Sequence, residues 1–119
     1  MIFIPYNTPS SKNSKQWTGR FLINSKTVRE YEKKVEPYFI QHKKNFHKMI
    51  EGKEKPYKIQ FKLIRNSKRK FDYVNSVQIL LDMMTEYGWI DDDNCDEVMP
   101  VFDYYEYDKN NAGCYIDIL

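Results

Sequence analysis

The sequence predicts an α+β fold: a single domain, residues 1–119, with a mixed four- to five-stranded sheet packed against two helices. Three observations carry that expectation. Tyr57, Ile59, Phe61 and Leu63 alternate with Lys58, Gln60 and Lys62, the period of a half-buried strand. Val28, Tyr31, Val35, Tyr38 and Phe39 recur at three and four residues, the period of a helix. A second helical pattern runs over 74–87 and ends at Gly88, a residue suited to the left-handed turn after a helix. With 119 residues, 41% of them hydrophobic and 16% aromatic, the chain suffices for one core and is no disordered polymer.

Taken in order, Ile2, Phe3 and Ile4 read as a short buried strand stopped by Pro5. A polar loop from Asn7 to Gln16 follows, then a short strand over 20–24. Ser25 or Thr27 is a suitable cap for a helix over 27–50 with a strongly basic exposed face. Pro37 predicts a kink in it or a break into two pieces. After the strand over 57–63 comes the basic connection Asn66-Ser67-Lys68-Arg69-Lys70. In the second helix Val74, Val77, Leu81 and Met84 form the expected buried stripe, while Asn75, Gln78 and Asp82 lie on another face. A strand over 98–107, a turn at Asn110-Asn111-Ala112-Gly113 and a strand over 114–119 read as a C-terminal hairpin.

Net charge is only +2, so bulk electrostatics does not demand a polyanionic partner. Its distribution says more: residues 12 to 70 are rich in Lys and Arg, residues 72 to 108 in Asp and Glu. Such asymmetry points toward nucleic acid, or else toward a merely dipolar protein. Cys95 and Cys114 have neither zinc-ligand nor redox-pair spacing; a disulfide between them is possible and not required. His42 and His47 are not at the spacing of a helical metal pair and read as surface residues. No apolar stretch approaches membrane-spanning length, and the start of the chain lacks the basic n-region of a signal peptide. The expected setting is cytoplasmic and reducing.

The chemistry concentrates at Asp91-Asp92-Asp93-Asn94. Adjacent carboxylates repel unless a cation or solvent offsets them. Asp72 opens the second helix, and Asp92 and Asp93 follow its end. That helix spans about 20 Å, so Asp72 and Asp93 meet only if the chain turns back after Gly88. Five extended residues reach about 17 Å, nearly enough. Two or three carboxylates so gathered suit Mg²⁺, which keeps several waters and takes few protein oxygens. The plainer alternatives are that Asp72 only caps the helix and that the acidic run is a solvated loop. The order of a calcium-binding EF-hand loop is not met.

Asp72-Tyr73-Val74-Asn75, then Asp82, then Gly88-Trp89-Ile90-Asp91-Asp92-Asp93, resembles the signature of the RusA-like Holliday-junction resolvases. That signature is D-x-D-N, a helix with a Lys three residues after the Asn and a later Asp, then Gly and a D-D pair. The basic run before Asp72 and the stretch from Pro9 to Lys15 fit as well. The resemblance implies a homodimeric, Mg²⁺- or Mn²⁺-dependent endonuclease of phage type that nicks four-way DNA junctions. Asp72, Asp92 and Asp93 would hold the metal and serve catalysis. Lys12, Lys15, Lys68, Arg69, Lys70, Asn75 and Gln78 would contact DNA. Two positions depart from the signature: Val74 stands where a second Asp is expected, and Gln78 where a Lys is expected. They favour an alternative, a RusA-like protein that binds branched DNA without cutting it.

Overall fold

The computed structural model of the chain describes residues 1–10, 15–17 and 22–119. It is an α+β fold. Among the described residues nine elements follow in order: β1 (Ile2–Pro5), β2 (Lys15–Trp17), β3 (Leu22–Asn24), α1 (Lys26–Met49), β4 (Tyr57–Arg65), α2 (Tyr73–Glu86), β5 (Val98–Phe102), β6 (Glu106–Tyr107) and β7 (Gly113–Ile118). The main sheet is mixed and five-stranded, with order β1-β7-β4-β5 and with β6 also on β4. β5 and β6 run parallel to β4, and β7 runs antiparallel to both β4 and β1. β2 and β3 form a separate antiparallel ribbon.

Side-chain period explains the layers. Ile59, Phe61 and Leu63 of β4, Cys114 and Ile116 of β7, and Ile2 and Ile4 of β1 point into one core. Val28, Tyr31, Val35, Phe39 and Phe46 of α1 meet that core, as do Val77, Leu80, Met83 and Met84 of α2. The opposite sheet face carries Gln60, Lys62, Tyr115 and Asp117 around an open recess.

Several expectations need correction. Of the two outcomes expected at Pro37, a kink or a break, the break does not occur: α1 continues through it as one helix. Proline removes one N–H, and the buried stripe on either side of it holds the helix to the core. Ser25 is the cap, its hydroxyl oxygen accepting from the Val28 N–H at 3.4 Å. The expected loop to Gln16 gives way at Lys15 to β2.

The C-terminal hairpin does not form. The strand expected over 98–107 breaks into β5 and β6, both beside β4, whereas β7 pairs on the other side of β4. The turn after Tyr107 therefore straddles the end of β4, and Asp108 N–H donates to the Arg65 carbonyl. Pro100 explains the placement: it cannot donate to a ladder, so its strand suits an edge, while β7 has donors for two neighbours. Gly113 sits where β7 passes β1. A Cβ there would lie 2.5 Å from the Ile4 carbonyl oxygen and collide with the Phe3 ring. Gly113→Ala is expected to cost about 2 kcal/mol or more, read as a lowered urea midpoint with unchanged slope.

Candidate metal and nucleic-acid site

α2 is the crossover between the parallel strands β4 and β5, so its N-terminus lies beyond the carboxyl end of β4. Ligand sites of open sheets gather at such ends. The helix is buried on most sides. Its exposed stripe is Val74, Gln78, Asp82 and Glu86, one residue per turn. Val74 therefore does not belong to the buried stripe predicted for it; it is 64% exposed. The apolar face is satisfied by Val77, Leu80, Leu81 and Met84, which leaves position 74 facing solvent beside the acidic positions.

Three features turn the chain back toward this stripe. Gly88 takes φ +78°, where a side chain would be strained. Trp89 then buries completely, stacks on Phe46 with ring centres 5.0 Å apart, and donates through Nε1 to the Phe39 carbonyl at 2.7 Å. His47 Nε2 donates to the Gly88 carbonyl at 2.9 Å. The returning segment brings Asp93 onto the exposed face of α2.

Asp93 meets the helix at Gln78. The Gln78 Nε2 donates to Asp82 Oδ1 and to Asp93 Oδ2, both at 2.8 Å. One amide nitrogen thus draws two carboxylates together. Asp72 takes the N-cap position without a capping bond and instead accepts from Asn75 Nδ2 at 3.4 Å. The helical rise between residues 72 and 78 is about 9 Å. Asp92 serves its own loop: Oδ1 accepts from the Asp93 N–H at 2.8 Å and Oδ2 from Asn94 Nδ2 at 3.0 Å. Those donors, the backbone N–H first, hold the Asp92 carboxyl below its ordinary range. Asp91 pairs with Lys55 at 3.3 Å.

Among the described residues no three carboxylate, imidazole or thiol groups gather as a metal cluster. Asp72, Asp92 and Asp93 therefore do not form one, and the pair that does converge is Asp93 with Asp82. That pair has the donor chemistry of a Mg²⁺ or Mn²⁺ site, since Mg²⁺ is often held by one or two carboxylates and water. Asp82 was readable from its i, i+4 relation to Gln78, but the link to Asp93 was not.

The basic connection leads directly into Asp72 at the start of α2. Lys68, Arg69 and Lys70 are exposed, and no described carboxylate forms an ion pair with them. Lys70 shares with Ser10, Phe71 and Asp72 a recess of about 360 Å³. Among the described residues three other lysines of the basic half are paired: Lys26 with Glu30, Lys55 with Asp91 and Glu97, and Lys62 with Asp103 and Glu106. Lys12 lies outside the described residues, and Lys15 opens β2.

Beneath the recess, polar contacts tie the segment after β1 to both helices and β4. Asn66 N–H donates to Asn7 Oδ1 at 3.0 Å, and Ser76 Oγ donates to the Pro9 carbonyl at 2.9 Å. The Thr8 hydroxyl and the Tyr31 hydroxyl are 3.2 Å apart. Arg65, buried and without a described carboxylate partner, donates to the Thr8 carbonyl and lies against the Phe71 ring, 4.4 Å from its centre. Burial pulls its guanidinium below its ordinary value. Both cysteines are free thiols: Cys95 is exposed, and burial pushes the Cys114 thiol up. No helix among the described residues is long and apolar enough to cross a membrane. Compared with protein-family models and with curated proteins, the chain matches none.

Proposed function

We propose that the protein is a metal-dependent endodeoxyribonuclease of the RusA-like type, acting on branched DNA such as four-way junctions. The observation that carries the reading is the convergence of Asp93 and Asp82 on Gln78, on a helix entered through a basic run that has no ion-pair partner among the described residues. Acidic oxygens along a helix whose start is flanked by cations suit a phosphodiester held close to a divalent ion. Asp93 and Asp82 would hold Mg²⁺ or Mn²⁺, with Asp72 and Asn75 further along the same helix. When bound, such an ion lowers the pKa of its water and offsets charge at the phosphate. Lys68, Arg69 and Lys70 would hold the DNA backbone and set its register. A two-fold dimer would suit a junction with two equivalent strands, and the setting consistent with free thiols is a reducing cytoplasm.

The test is nicking of a synthetic four-way junction with and without Mg²⁺ or Mn²⁺. Absence of cleavage at every metal concentration would sink the reading.

A second reading, binding without cutting, is favoured by Val74 and Gln78. Val74 places an exposed apolar side chain in the acidic stripe, and Gln78 occupies the space between the two carboxylates with a neutral amide. Under this reading Val74→Asp with Gln78→Lys raises nicking from background by about ten-fold or more, the scale of one well-placed charge at a reacting phosphate. Position 74 tolerates the change, being exposed and in the first turn of α2, where a negative charge suits the helix dipole. A folded double variant that binds the junction and stays inert would remove the argument from those two positions.

A further inference from the structure

The aromatic residues flanking Asp72 form a continuous ridge. Phe102 stacks on Tyr73 at 5.9 Å and 15°, Tyr73 meets Phe71 at 4.9 Å, Phe71 meets Tyr105 edge-on at 5.1 Å, and Tyr105 meets Tyr104 at 5.3 Å. The break between β5 and β6 builds it. Asp103 N–H donates to the Phe61 carbonyl, and the Tyr105 N–H then donates to the Tyr73 hydroxyl at 2.9 Å, which fixes the break against the start of α2. The inner rings are half-buried and structural. The two ends are open: Tyr104 is 76% exposed and Phe102 43% exposed.

Exposed apolar surface that is contiguous, as along these touching rings, marks a binding surface more often than scattered exposed residues do. The charges around this ridge say for what. Lys68 Nζ lies 5.2 Å from the centre of the exposed Tyr107 ring, and Lys68, Arg69 and Lys70 have no described carboxylate partner. Asp103 and Glu106, the acids nearest Tyr104 on the chain, are matched by Lys62 at 3.7 and 3.1 Å, while Asp72, between Phe71 and Tyr73, accepts from Asn75 Nδ2 at 3.4 Å. A basic run that leads into Phe71, at the inner part of the ridge, and exposed rings at the ridge's ends supply the two halves of a single-strand site: phosphates take the cations, and bases stack on the rings. A fully paired duplex offers only the phosphates, because its bases face one another.

We propose that Tyr104 and Phe102 form a stacking platform for unpaired nucleotides of DNA, so that the protein selects branch points or open strands over continuous duplex. The inference rests on the reading of this site as one for DNA, and does not require that the DNA be cut.

Fluorescence anisotropy at one fixed low salt concentration tests it, using a short labelled oligothymidylate, a fully paired linear duplex and a four-way junction. Tyr104→Ala is expected to weaken oligothymidylate binding by about ten-fold, the effect of losing one base stack, with duplex affinity unchanged. Tyr104→Trp is expected to retain or tighten it. Both changes are on an exposed side chain and leave the core untouched. Equal oligothymidylate affinity for wild type and Tyr104→Ala would overturn the proposal, as would a wild type that binds duplex but no oligothymidylate. Oligothymidylate binding that depends on Tyr104, in a protein that never nicks the junction, keeps this inference and ends the nuclease reading. Nicking with no dependence on Tyr104 in binding does the reverse.

Discussion

Trp89→Ala is expected to lower the unfolding free energy by about 3–5 kcal/mol, the range for truncating a large core aromatic. Trp89 is among the largest fully buried side chains, wedged between Phe39 and Phe46 with ring centres 5.0 Å away on each side. Truncation leaves a cavity between α1 and the end of α2 and removes the bond to the Phe39 carbonyl. A domain of this size is stable by only about 5–15 kcal/mol, so the loss is a large share of the total. Trp89→Phe keeps most of the packing and is expected to cost about half as much. Urea titration followed by far-ultraviolet circular dichroism measures both. An alanine variant within about 1 kcal/mol of wild type would show that the return segment is not anchored there. The same residue links stability to the site, because the turn it anchors delivers Asp93 to Gln78.

Asp93→Asn is expected to abolish metal-dependent nicking, by about a hundred-fold or more, while junction affinity in the absence of metal stays within a few-fold of wild type. The asparagine keeps the shape and still accepts from Gln78, but removes the charge that would hold a divalent cation. Asp92→Asn is expected to do much less to the rate. Both Asp92 oxygens are committed to the loop, to the Asp93 N–H and to Asn94. Initial nicking rates across a Mg²⁺ titration separate the two. If Asp93→Asn cuts at the wild-type rate, Asp93 holds no catalytic ion; if Asp92→Asn is the inactive one, the roles of the neighbours are reversed.

Much of the site was legible along the chain. The spacing of Val28, Tyr31, Val35 and Phe39 located α1, and the alternation through Ile59, Phe61 and Leu63 located β4, because a buried face repeats with the geometry of its element. Gly88 marked the end of α2 because few residues adopt positive φ without strain. Val74 was misplaced because a valine at helical spacing carries no sign of which arc of the helix the rest of the domain covers. The hairpin was misplaced for a related reason: Pro100 marks its strand for an edge, but which edge of β4 is free depends on the rest of the sheet. The aromatic ridge joins residues thirty positions apart and is invisible to any local pattern.

Local period, capping and turn stereochemistry thus placed both helices, β1, β4 and the region of β7, and the residue types available for chemistry, but neither β2 nor the division of 98–107 into β5 and β6. Tertiary structure alone decided that Asp93 meets Asp82 through Gln78, that Asp92 serves its loop, and that β7 lies between β1 and β4. Those outcomes depend on how Trp89 and the sheet fill one shared core, and close packing is a property of the whole chain rather than of any segment of it.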